Sequence, residues 1–204
     1  MLVLAISAIA AVPCRASIVV VSQDFNLPIP SPDDPDSKLG RGRMADAIID
    51  VTGHYIIDDL NIAVSLTHEA FFDLEIILER PAGTAITLNP PLNDAFIILG
   101  PGGSHSAGGS NRFLFDDEAA VGVEDATPPF DQTFRPAAGF ALSAFDGQDA
   151  FGQWRLQIYD AGIAHTGRLE GIELIISTPE PTSMCLFALA AVIARFSSRP
   201  KPSK

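Results

Sequence analysis

The chain has 204 residues, 25 acidic against 13 basic side chains for a net charge of −12, 47% hydrophobic residues and two cysteines. Apolar ends flank an acidic middle: residues 17–178 hold eight basic and 24 acidic side chains, a net charge of −16. That length fits one domain of ordinary size and excludes a protease or kinase domain with an accessory module, while the charge argues against a basic groove for nucleic acid and for a cation as partner, or simply for solubility outside the cell.

The first 16 residues are almost wholly apolar and close on Cys14-Arg15-Ala16, whose last residue is small, as signal peptidase requires. Residues 1–16 are therefore expected to be a signal peptide, although no Lys or Arg precedes the apolar run. Residues 17–43 predict a short strand over 18–21 and then a loop over 27–43 rich in Pro, Asp and Gly. Period-two alternation dominates from there on. Ile62, Val64 and Leu66, then Leu74, Ile76 and Leu78, then Trp154, Leu156 and Ile158, then Ile172, Leu174 and Ile176 each mark one face of a half-buried strand. Shorter strands are expected over 47–51, 85–88, 96–99 and 112–115. Residues 100–111, rich in Gly and Ser, read as a flexible loop without the Gly-Lys-Ser/Thr needed to cradle phosphate. Eight or nine strands and no long helical period predict an all-β domain, a jelly-roll sandwich or barrel, flanked by terminal apolar helices. The cysteines, Cys14 and Cys185, both lie in the ends, so the middle must be held by its core without a disulfide.

Residues 179–204 open with Pro179-Glu180-Pro181, continue through an apolar stretch over 184–194 and finish with Arg195, Arg199, Lys201 and Lys204. Eleven apolar residues fall short of the roughly 20 that span a bilayer as a helix. The order of these three parts resembles the bacterial PEP-CTERM sorting signal. The resemblance implies an exosortase-type processing enzyme as a partner, brief anchoring in the membrane and delivery to the cell surface; an ordinary C-terminal anchor is the alternative.

Eight strings follow in order through the middle. They include Leu60-Asn61-Ile62-Ala63-Val64-Ser65-Leu66-Thr67-His68, Asp73-Leu74-Glu75-Ile76, Arg80-Pro81-Ala82-Gly83-Thr84, Phe115-Asp116-Asp117-Glu118-Ala119 and Gly152-Gln153-Trp154-Arg155-Leu156. This succession resembles the P domain, also called Homo B, of kexin-like and bacterial subtilisin-like proteases, over residues 25–177. The resemblance implies a jelly-roll module that stabilises a protease domain and commonly holds calcium. Two positions depart from the family: Phe72 stands where a Gly is usual, and Ala164-His165 where an acidic residue is usual near the last hairpin.

Among polar clusters the sharpest is Asp116-Asp117-Glu118, where three adjacent acids repel unless a cation, a basic partner or water separates them. Asp73 and Asp160, at strand ends, are candidates to complete a Ca²⁺ site with them; a solvated loop is the alternative. Trp154 reads as a core anchor and Gly83 as the positive-φ residue of a hairpin turn. His54, His68, His105 and His165 show no spacing that pairs them with a nucleophile or with one another as metal ligands, and Thr182-Ser183-Met184 lies in the tail, so no catalytic residue is assigned. Three functions fit in this order: a non-catalytic structural or adhesive module at the cell surface or in an exopolysaccharide matrix, an accessory to a subtilisin-like serine endopeptidase on another chain, and a carbohydrate-binding module.

Overall fold

The computed structural model describes residues 17–32, 42–90, 107–127, 130–163 and 165–179. Among these residues ten strands form two sheets, one in the order β1-β10-β4-β7-β8 and the other in the order β2-β9-β5-β6, with β3 also paired to β9. The strands are β1 (Ser17–Ile29), β2 (Gly42–Arg43), β3 (Ala47–Val51), β4 (Asp59–His68), β5 (Leu74–Glu79), β6 (Ala85–Asn89), β7 (Ala107–Phe115), β8 (Thr133–Phe134), β9 (Gly152–Asp160) and β10 (Gly167–Thr178). The residues from Ile18 to Thr178 make one compact unit, and two sheets around one core fit a β-sandwich.

Alternation explains the central strands. In β5, and in β9 from Trp154 onward, buried and half-buried residues alternate, placing Ile76 opposite Ile158 and Leu78 opposite Leu156 on the inner face, with Leu74 and Trp154 continuing the two buried rows. β4 buries Leu60, Ile62, Val64 and Leu66 in the same alternation, interrupted by the buried Ala63, and pairs antiparallel with both β10 and β7. Between the sheets lie Phe71, Phe113, Phe115, Phe130, Phe134, Phe145 and Trp154, all essentially without exposure. Phe71 stacks on Phe113 at 4.5 Å between ring centroids, and Phe145 meets Trp154 edge-on at 5.2 Å. The Trp154 indole N–H donates to the Ala150 carbonyl at 2.8 Å, so the anchor buries its large apolar surface without leaving a donor unpaired.

Turn chemistry follows the sequence at Gly83, whose φ of +83° closes the β5–β6 hairpin while its N–H donates to the Arg80 carbonyl. Gly42 is required for a different reason. A Cβ there would stand 1.6 Å from the Pro30 carbonyl oxygen, so only glycine lets β2 pass this close to the chain leaving β1.

The structure corrects three expectations. β1 continues to Ile29, three residues into the predicted loop, because Phe25 and Leu27 pack against the core at strand spacing. β2 and β8, two residues each, are too short to leave a period in the sequence. The segment predicted as a loop over 100–111 begins pairing with β4 at Ala107, opposite His68; its small residues pair through backbone groups, which hydropathy does not register. The signal peptide over 1–16, the strand over 96–99, the tail over 180–204 with its apolar stretch, His105, Ser183 and the flanking helices lie outside the described residues.

Candidate functional site

The five residues nominated for calcium separate into two groups at opposite ends of β4. Asp116 follows Phe115, which pairs with Ile62, whereas Asp160 reaches His68. Six residue steps of strand, ~20 Å, separate these two levels.

At the first end, Asp116, Asp117 and Glu118 turn away from β7 toward Asp58, Asp59 and Asp146. Burial pushes the Asp59 carboxyl up, reinforced by the charges of Asp116, Asp117 and Asp58. Burial likewise raises Asp146, with Asp59, Asp117 and Asp58 adding to it. A side-chain hydrogen bond with Asp116 raises Glu118. Like charges held this close favour proton uptake. Part of the ligating capacity is already used, however. Asp117 accepts the N–H groups of Leu142 and Ser143 through its two oxygens, at 2.9 and 2.8 Å, and so clamps the 3₁₀ turn Leu142–Phe145. Asp116 accepts from the Glu118 N–H at 2.8 Å, and Asp59 from the Asn61 amide at 3.2 Å.

At the second end the acids have paired with imidazoles. His68 and Asp160 are wholly buried, with Nε2 3.2 Å from Oδ2, while the other Asp160 oxygen accepts the Gly162 N–H at 2.8 Å. His68 Nδ1 lies within 3.1 Å of the Ala70 N–H. Asp73 meets His165 Nδ1 at 3.1 Å in a half-exposed pair. Gly162 makes that possible, because a Cβ on it would stand 1.8 Å from the Asp73 carboxylate. Ser31, buried, donates to the Gly162 carbonyl at 3.3 Å. Asp73 and Asp160 thus have histidine partners rather than a place beside the acidic triplet. Among the described residues no group of three or more His, Cys, Asp or Glu side chains is arranged to hold a metal ion. The donor set nominated from sequence does not fit a single calcium ion.

A third imidazole, His54, is exposed, 2.7 Å from Asp149 and stacked on Phe151 at 4.3 Å. The His54 hydrogen bond holds the Asp149 carboxyl below its ordinary value. Three of the four histidines therefore have aspartate partners, none visible in the sequence as motifs. One signal was available for the buried pair. Extending the inward registers Leu60-Ile62-Val64-Leu66 and Trp154-Leu156-Ile158 by one step turns both His68 and Asp160 toward the core.

The chain belongs to the proprotein convertase P-domain family, whose model matches residues 57–176. No curated protein matches it. Two solved structures are similar to it: the serine protease of Aeromonas sobria, at 15% identity and a TM-score of 0.44, and the same organism's serine protease in complex with its chaperone, at 16% and 0.45. The alignments cover 83% and 80% of this chain but only 28% and 27% of those chains.

Proposed function

We propose that this chain is an exported, non-catalytic P-domain module that serves a structural or adhesive role at the cell surface. The observation that carries the reading is where its acids and imidazoles are spent. Asp117 clamps a turn, His68 and Asp160 are sealed inside the core, and Asp73 and His165 tie the β9–β10 connection to the segment before β5. These are the uses a scaffold makes of polar groups. Export rests on the leader over 1–16, and surface delivery on a tail over 179–204 cut by an exosortase-type enzyme. The module itself is taken as residues 25–177. Intact mass of the protein extracted from the cell surface tests both ends at once: a species lacking both segments is expected, and one retaining both removes the sorting part of the reading.

Calcium enters this proposal only at the acidic end, as a counter-ion for Asp59, Asp116, Glu118 and Asp146. A second reading, favoured by the family match, makes the module an accessory to a subtilisin-like endopeptidase carried on another chain. Pull-down of such a protease by the full chain supports that reading over the first. Binding to a matrix polysaccharide ranks third, because Trp154, the strongest sugar-stacking side chain, is fully buried.

A further inference from the structure

The edges of the two sheets are unequal. Among the described residues β8 and β2 are two residues long and β3 and β6 five, whereas β1 runs for 13 residues and ends its sheet. Arg168 of β10 donates to Asn26, and Gly171 lies against Gln23, so β1 runs antiparallel to β10 on one side. On its other side, where no described strand pairs with it, alternate residues turn their N–H and C=O groups outward. Proteins ordinarily guard such an edge with Lys, Pro, a bulge or an inward charge. From Ser17 to Gln23 the strand has none of these residues, reading Ser-Ile-Val-Val-Val-Ser-Gln. Ile18 and Val20 are 66% and 55% exposed, and Val19 and Val21, on the inner face, are only half-buried.

We propose that β1 pairs with β1 of a second copy of this chain, antiparallel about a two-fold axis at Val20, so that two five-stranded sheets become one of ten. The case for a second copy is charge and self-complementarity. Each chain carries a net charge of −12, so two copies can approach closely only through an uncharged strip. β1 supplies one. Around an axis at Val20, Ile18 falls opposite Ser22 and Val19 opposite Val21, and the first acid, Asp24, lies beyond the paired stretch. The contact is the same patch on both chains and closes on itself. It also covers both the outward pair Ile18 and Val20 and the incompletely buried Val19 and Val21.

Site-specific cross-linking of the full chain tests this. With Cys14→Ser and Cys185→Ser as background, Val20→Cys places two thiols across the axis, where paired strands hold Cα atoms ~4.5–5.5 Å apart, within reach of a disulfide. Mild oxidation is expected to give at least a tenfold higher yield of linked dimer than the control Ile163→Cys, although Ile163 is more exposed at 71%. In the same background without an added cysteine, sedimentation equilibrium is expected to show a dimer fraction that rises with NaCl, because screening weakens repulsion between like-charged copies. Val20→Lys, an outward change that leaves the core intact, is expected to lower that fraction at least tenfold. Equal cross-linking at both positions, a monomer at ~100 µM at every salt concentration, or a dimer indifferent to Val20→Lys would overturn the proposal.

Discussion

His68 Nε2 stands 3.2 Å from Asp160 Oδ2, with both side chains wholly enclosed, and the two residues are 92 positions apart in the chain. The pair joins β4 to β9, and therefore one sheet to the other. Removing one member leaves a buried polar group without its partner, which costs about 3 kcal/mol or more. Asp160→Ala is expected to lower the unfolding free energy by that amount in urea titration, followed by fluorescence of Trp154, the only tryptophan in the chain. A loss below about 1 kcal/mol would show that the pair does not hold the sheets together.

Proton uptake at the acidic end should govern how stability varies with pH. Asp59, Glu118 and Asp146 are raised in the folded chain, so folding binds protons more readily there; their repulsion opposes folding at neutral pH and is relieved as pH falls through the raised range. Asp59→Asn keeps an acceptor for Asn61 while removing the charge. It is expected to raise the melting temperature at about pH 7 and to leave it unchanged at about pH 3, where the carboxyls are protonated. Asp149 works in the other direction: its lowered value means that its pairing with His54 favours folding above the ordinary carboxylate range and is lost as pH falls.

As the proposed counter-ion, Ca²⁺ would act on the same group. Millimolar Ca²⁺ is expected to raise the melting temperature relative to EDTA, and Asp59→Asn to shrink that rise. An unchanged melting temperature in the parent chain would remove calcium from the account.

Asp117 works as a clamp: its two oxygens accept the N–H groups that open the turn Leu142–Phe145. Asp117→Ala is expected to cost about 1–3 kcal/mol, with faster hydrogen exchange at the Leu142 and Ser143 amides. Protection equal to the parent at both amides would contradict that role.

Gly162 is held to glycine by space. Gly162→Ala drives a methyl into the Asp73 carboxylate and is expected to separate it from His165, read as a shift of the His165 ring resonances toward those of Asp73→Ala. Resonances identical to those of the parent would show that the loop absorbs the methyl without breaking the pair.

Much of the sandwich was legible because inward and outward residues alternate so strictly: β3 fell on the residues expected, and β5 and β9 were marked by their own buried triplets. β2 and β8 were hidden because two residues carry no period, and the start of β7 because Gly and Ser have no hydropathy to alternate. The acidic triplet was legible as a string but not as a set of occupied acceptors, since its partners Leu142 and Ser143 are backbone groups 25 and 26 residues away. The histidine partners came from elements far apart in the chain. Only the inward register at His68 and Asp160 pointed to one of them.

A module without a reaction centre, as proposed, holds no activated serine, and fluorophosphonate labelling of the purified full chain, followed by peptide mass spectrometry, tests this directly. No modified serine is expected. Stoichiometric label on Ser31, whose hydroxyl donates to Gly162 beside the Asp73–His165 pair, would contradict it.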